Sequence, residues 1–207
     1  MAHRRRNRRR RRGSLGPLLR VLSVLLTAVA VVAALTLFFK VDQVVVSGNS
    51  RYSAEEIIEV SGVEQGDNLI LLDKYHIAEK LYTELPYITE VRINRKLPDV
   101  LMVEVVETQA VAAIKGGSST WLMDSGGKLL EVVSASMAKK YITLEGLTAE
   151  SPAISGKLKL GEESPISAQR LLELMQALKQ WGMLEKTTSL DASDPDYMVL
   201  SYDGRFQ

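Results

Sequence analysis

The sequence predicts an α+β fold behind a single membrane-spanning helix, and three observations lead there. A charge-free apolar run fills residues 21–39, between Arg20 and Lys40. After it, short patterns follow in the order strand, helix, helix, strand, strand. Beyond residue 108 the pattern turns to short strands separated by Gly- and Asp-containing turns, so a mostly antiparallel β domain with one or two helices is expected there.

The N-terminus comes first. Arg4, Arg5, Arg6, Arg8, Arg9, Arg10, Arg11 and Arg12 crowd together with no acid among them. A bilayer crossing takes about 20 mostly apolar helical residues. Clustered arginines beside a span mark the side that stays cytoplasmic. Residues 1–20 therefore read as a cytoplasmic tail, 21–39 as the transmembrane helix, and the rest as extracytoplasmic. A cleaved signal peptide is the alternative, because Ala28-Val29-Ala30 offers a small-x-small site. Cutting there would leave residues 31–39, still strongly apolar, as the new N-terminus, so the anchor is preferred. The arginines could hold nucleic acid or anionic lipid. An orientation signal with headgroup contact is the simpler account, and no nucleic-acid partner is expected.

Charge changes sign across the span. The chain has 26 Lys and Arg, nine of them in residues 1–20, which leaves 17 against all 25 acids: a net charge of about −8 beyond the anchor. There is no cysteine, so disulfides, thiol catalysis and thiolate metal sites are excluded. The 168 residues after Phe39 suffice for one or two small domains.

In the first of these, Val44, Val45 and Val46 form a β-branched run that ends at Ser47-Gly48-Asn49. Ser53 and Glu56 make a capping box for a short helix with Ile57, Ile58 and Val60 as its apolar contacts and Gly62 as its stop. A loop at Gly66-Asp67-Asn68 leads to a second helix from about Asp73, with Ala78, Leu81, Tyr82 and Leu85 at helical spacing, halted by Pro86. Two strands close the unit. Val91 and Ile93 oppose Arg92 and Asn94 in one, and Leu101, Val103 and Val105 alternate with Met102 and Glu104 in the other, across a turn at Lys96-Leu97-Pro98-Asp99. Two helices on one face of three strands bury a small core and leave a sheet edge open to an added strand.

The second unit opens with strands at 110–114, 120–123 and 129–133 around Gly116-Gly117-Ser118 and Asp124-Ser125-Gly126-Gly127, the spacing of a meander. Residues 141–144 and 157–160 are shorter candidates, with loop between them. Ser164-Pro165 is expected to start a helix whose stripe is Ala168, Leu171, Leu172, Met175 and Leu178, with Gly182 after Trp181 as its stop. Residues 197–202 read as a last strand, and Asp203-Gly204 as a hairpin turn ahead of the final Gln207.

Catalytic chemistry finds little footing. His3 falls in the tail, which leaves His76 as the sole imidazole for a triad or a zinc site, without a second histidine at ligand spacing. Glu55-Glu56 and Glu162-Glu163 could serve a glycosidase as acid pairs. Both pairs lie at or before expected helix starts, where the helix dipole favours acids. Gly116-Gly117 and Gly126-Gly127 lack the Lys-Ser/Thr of a P-loop. No enzyme, metal, cofactor or small-molecule substrate is expected.

These residues carry a resemblance. The stretch FFKVDQVVVSGNSRYSAEEIIEVSGVEQGDNLILLD resembles the start of a POTRA domain just after a membrane anchor, and LPYITEVRINRKLPDVLMVEVVETQAVAAI its closing hairpin. With WLMDSGGKLLE downstream, the layout is similar to the FtsQ/DivIB family of bacterial cell-division proteins over roughly residues 20–207. The resemblance implies a POTRA-like domain at 40–108 and a β domain at 109–207. It also implies a non-enzymatic bitopic scaffold of the divisome at the septum, tied to septal wall synthesis. Its partners would be other bitopic division proteins (FtsL and DivIC/FtsB-like), septal wall synthases and the lipid bilayer. The family often carries Glu-Arg-x-Pro-x-Ala after the last POTRA strand. This chain has Glu107-Thr108-Gln109-Ala110-Val111-Ala112, and loss of the proline implies a less rigid domain junction. In the family more sheet follows the last strand, in a region implicated in partner binding, so the sequence reads as a truncated product or fragment. Tyr197, Val199, Ser201, Tyr202 and Arg205 are accordingly the expected partner-binding residues. A periplasmic transport or chaperone module with the same fold is the alternative, and a membrane-tethered wall hydrolase a third.

Overall fold

The computed structural model describes residues 16–203, so the Arg4–Arg12 cluster and Arg205 lie outside the described residues. Helix α1 (Gly16–Phe38) has 23 residues, none buried against the rest of the chain. At about 1.5 Å per residue it reaches about 34 Å, enough for a hydrocarbon core of about 30 Å. Its hydroxyls turn inward on the backbone: Ser23 donates to the Arg20 carbonyl (2.8 Å), Thr27 to that of Ser23 (2.9 Å) and Thr36 to that of Ala33 (2.9 Å). Lipid offers these groups no partner, so this back-bonding is how polar residues are tolerated in a span.

The first domain runs β1 (Gln43–Ser47), α2 (Ala54–Ser61), α3 (Lys74–Glu84), β2 (Ile88–Lys96) and β3 (Val100–Glu107). Its sheet has the order β1-β3-β2, with β1 parallel and β2 antiparallel to β3. Capping sets the helix boundaries. The Ser53 hydroxyl accepts from the Glu56 N–H at 3.1 Å, and the Gly62 N–H closes α2 on the Glu59 carbonyl. Asp73 accepts from the N–H groups of Tyr75 and His76, at 3.0 and 3.2 Å. Leu101, Val103 and Val105 alternate inward along β3 and meet Ile57, Ile77 and Leu81 of the helices in one core. Fully burying one such side chain contributes about 1.5–3 kcal/mol.

The second domain holds β4 (Ala112–Gly116), β5 (Ser119–Met123), β6 (Leu129–Val133), α4 (Ala135–Ala138), β7 (Ile142–Thr148), α5 (Ala168–Gln180), β8 (Thr187–Asp191) and β9 (Val199–Tyr202). One sheet takes the order β6-β5-β4-β7-β8-β9. The expected meander is its β6-β5-β4 half. Three of its five pairings are antiparallel, and β7 lies parallel to both β4 and β8. Leu171, Met175 and Leu178 of α5 pack on one face against Ile114, Met123, Leu144 and Leu190. On the other face, Ala138 of α4 meets Ala113 and Leu122.

Three local expectations are corrected. The helix expected from Ser164-Pro165 starts later: Ser167 is its cap, extended at φ −77°, ψ 151°, with its hydroxyl accepting from the Arg170 N–H at 3.2 Å. Ile166 is drawn into the core just before it, which places Pro165 outside the first turn. Residues 157–160 form no strand, only the single bridges Lys128–Lys157 and Ala149–Leu160. Strand β7 runs on to Thr148, through residues expected to be loop.

Candidate partner-binding surface and the domain junction

Four of the five expected site residues are described. Tyr197 lies ahead of β9 and is 62% exposed, while Val199, Ser201 and Tyr202 are half-buried on the strand. On β8, Asp191 pairs with Val199, Leu190 with Leu200 and Ser189 with Ser201. Met198 and Leu200 pack on the α5 core, so alternation turns Val199 and Ser201 to the opposite face. Among the described residues β9 ends the sheet order. His76 is exposed at the start of α3. Among the described residues, no three His, Asp or Glu side chains are grouped as metal ligands would be.

What the sequence did not disclose is the joint between the domains. Pro86 ends α3 and has no N–H, so the Tyr82 carbonyl lacks its donor four residues on. The second domain supplies one. Lys128, only 4% exposed, donates from Nζ to the Tyr82 carbonyl at 3.1 Å and to the Ile88 carbonyl at 2.6 Å. The same Nζ sits 3.5 Å from the centre of the Tyr82 ring. It is a cation at the negative end of a helix dipole, over an aromatic face. The Ser155 hydroxyl caps the next carbonyl, that of Thr83, at 2.8 Å. An Asx turn aims the lysine: the Asp124 carboxylate accepts from the N–H groups of Gly126 and Lys128, both at 2.9 Å. Burial pushes the Lys128 pKa down to about 8, against the pull of the Asp124 charge.

A second bridge stands beside the first. The Tyr87 hydroxyl donates to Glu131 on β6 at 2.5 Å, and the Arg51 guanidinium lies 3.7 Å above the Tyr87 ring and 3.8 Å from that carboxylate. Burial, and then the Glu131 carboxylate, raise the Tyr87 pKa well above the usual phenol value. Arg51 is held from below. The Glu107 carboxylate, at the end of β3, accepts from the backbone N–H groups of Ser50 (3.0 Å), Arg51 (2.8 Å) and Tyr52 (3.2 Å). The junction expected to be loose for want of a proline is thus crossed by side chains of both domains. A cleft of about 680 Å³ opens next to it, lined by Arg51, Tyr87, Glu107, Gln109 and Tyr141 among others.

Glu107 yields a pH prediction. Partial burial disfavours its ionised form, but the three N–H donors and the Arg51 charge outweigh that and hold its pKa below the usual carboxylate value. A depressed folded pKa means its stabilisation is present above about pH 4.5 and is lost as the pH falls through the folded value. Glu107→Gln is expected to cost about 1–2 kcal/mol at neutral pH, discounted for partial exposure. It should also flatten the acid limb of stability below about pH 4.5. Urea titrations of both forms at several acidic pH values check this; parallel acid limbs would contradict it.

A helix that fits a single membrane pass, followed by a β-α-α-β-β unit and a sheet domain, defines a membrane-anchored POTRA protein, and the comparisons agree. A family model described as "POTRA domain, FtsQ-type" matches residues 39–108. "Cell division protein DivIB" of Clostridium acetobutylicum is 30% identical over 166 residues, covering 80% of this chain and 60% of that protein. "Cell division protein FtsQ" of Corynebacterium glutamicum is 26% identical over 168 residues, 80% of this chain and 75% of that protein. "Cell division protein FtsQ" of Koribacter versatilis is 31% identical over 164 residues, 75% of this chain and 43% of that protein. The first domain thus matches an FtsQ-type POTRA domain, and over about 80% of its length the chain is similar to proteins named as cell-division proteins DivIB and FtsQ, of which it spans 60% and 75%.

Proposed function

We propose that the chain is a non-enzymatic bitopic scaffold of the divisome, with its N-terminus in the cytoplasm and both domains outside it, at the division septum. It links other bitopic division proteins of the FtsL and DivIC/FtsB kind to septal wall synthases through extracytoplasmic contacts. The observation that carries this reading is the FtsQ-type POTRA domain placed directly after a membrane-length helix, in a chain whose relatives are named as cell-division proteins. The arginine cluster supports the orientation. Strand addition is the contact mode: β9 gives one edge to β8, and Val199 and Ser201 share the face turned from the core. Proline at Val199 removes a ladder N–H and restricts the strand.

The test combines imaging with capture. An N-terminal fluorescent fusion should gather at midcell as the septum forms, and Val199→Pro should weaken co-purification of the bitopic partners at least tenfold, about 1.4 kcal/mol. The first domain should remain folded by circular dichroism. An even outline of the cell would overturn the septal role, and unchanged capture by a folded variant would overturn strand addition at β9.

A further inference from the structure

We propose that the first domain has a membrane contact of its own, in which Ile70, Leu71, Tyr75 and Leu97 sit in the bilayer interface around the exit of α1. The proposal rests on α1 being the membrane anchor. The second half of the loop joining α2 to α3 is tied to the last turn of that helix. Asn68 donates from Nδ2 to the Thr36 carbonyl at 3.4 Å, and the Leu69 N–H donates to the Phe39 carbonyl at 2.8 Å. Further in, the Val41 N–H donates to Asp67 and the Gly66 N–H to Val41, both at 2.8 Å. At about 1.5 Å per residue, Thr36 lies about 3 Å along the axis inside the Phe38 end of α1, and Lys40 is the first charge after the span. A loop that reaches Thr36 is at the level of the headgroups or below them.

The same asparagine shapes what the loop presents there. Its Oδ1 accepts from the N–H groups of Ile70 and Leu71, at 3.0 and 3.1 Å, and this turn splits a continuous apolar run. Leu69 is fully buried and Leu72 packs on the core, but Ile70 is 43% exposed and Leu71 74%. Tyr75, in the first turn of α3, is 86% exposed. The β2–β3 turn joins the same rim. The Arg95 guanidinium donates to the Leu72 carbonyl, and the Asp42 N–H, four residues past α1, donates to Asp99 at 2.9 Å. That turn carries Leu97, 59% exposed. In water these side chains would leave apolar area uncovered, which is unfavourable in proportion to that area. At a membrane boundary, apolar groups sinking about 5–10 Å and a tyrosine at headgroup level are the favourable arrangement. Continuity with the span selects lipid as the occupant. The contact would restrain the tilt of the domain above its anchor.

The natural absence of cysteine makes the test clean. The full chain, carrying Tyr75→Cys labelled with an environment-sensitive nitrobenzoxadiazole dye, is reconstituted in phosphatidylethanolamine–phosphatidylglycerol vesicles containing spin-labelled lipid. Ala28→Cys within α1 and Lys139→Cys just after α4 are the reference sites. The dye at 75 should be blue-shifted and quenched severalfold more than at 139, with 28 quenched as well. Adding Ile70→Asp and Leu71→Asp should abolish most quenching at 75 and leave 28 and the circular dichroism unchanged. Quenching at 75 no greater than at 139, with 28 quenched, would overturn the proposal while the anchor stands. If 28 were also unquenched, the anchor reading would fall and the proposal with it. A blue shift at 75 without lipid quenching would place it against a second copy of the chain, and would overturn it too.

Discussion

Lys128→Met is expected to destabilise the full chain in detergent by about 2–3 kcal/mol and to uncouple its two domains. Methionine keeps most of the lysine's length and apolar stem, so the change is chiefly the loss of the ammonium. Two carbonyls, those of Tyr82 and Ile88, lose the donor that reaches them from the second domain. Leaving a buried acceptor unpaired costs about 1–3 kcal/mol, and here Pro86 ensures that the helix has no replacement for Tyr82. Relief from burying a cation offsets part of this, and for that reason the figure stays below the sum of two lost bonds. Denaturant titration measures the loss. Limited proteolysis between residues 107 and 112 measures the uncoupling and should speed up in the variant. Unchanged stability and unchanged cleavage would show that the lysine does not hold the joint.

The same lysine sets a slope with pH. Its folded pKa, about 8, lies below the value of a free lysine, so above pH 8 the folded chain sheds this proton before the unfolded chain does. The unfolded state then binds more protons, and stability rises with pH from about 8 towards 10. Tyr87 and Tyr52 limit the window. Burial raises both their pKa values, so stability turns downward once unfolded tyrosines ionise near pH 10. The rise between about pH 8 and 9.5 should be absent in Lys128→Met. Equal slopes in the two proteins would mean that the ammonium's carbonyl and ring contacts cancel its burial.

The first domain was legible because its signals are local. Ser53, Asp73 and Pro86 mark helix ends by their own chemistry, and the alternation through Leu101, Val103 and Val105 fixes one face of β3 without outside help. The second domain was less so. Strand β8, Thr-Thr-Ser-Leu-Asp, has one apolar side chain and is a strand because β7 and β9 flank it, while α4 is too short to show a period. Parallel pairing of β7 with β4 and β8 joins segments whose local patterns say nothing of their neighbours. The junction was hidden for a similar reason. Lys128 and Tyr82 are 46 residues apart and Tyr87 and Glu131 are 44 apart, so no window of the sequence holds both halves of either bridge. Of the residues expected to bind partners, the strand that carries them was readable at 197–202, whereas which of its side chains faced the core depended on where α5 packs.

Gly48→Ala should have the largest effect on the first domain, about 3–5 kcal/mol, from two causes that add. Gly48 follows β1 with φ +82°, a conformation costly for any residue with a Cβ. A Cβ there would also lie 2.1 Å from the Val105 carbonyl oxygen, backbone of the central strand that cannot turn aside. Either β1 must leave β3, which breaks the parallel pairing from Gln43 to Ser47, or the next turn must shift. The second choice moves Ser50, Arg51 and Tyr52 off the Glu107 carboxylate and draws the guanidinium from Tyr87, so the damage spreads to the junction. Gly66 is the control. Its φ is +97°, but nothing lies within 4 Å of a Cβ placed on it, so Gly66→Ala carries the backbone strain alone, about 1–2 kcal/mol. Denaturant midpoints for the two variants separate the terms. A Gly48→Ala loss no larger than that of Gly66→Ala would mean that β1 relaxes away from Val105 at little cost and that the Glu107 clasp does not depend on its position.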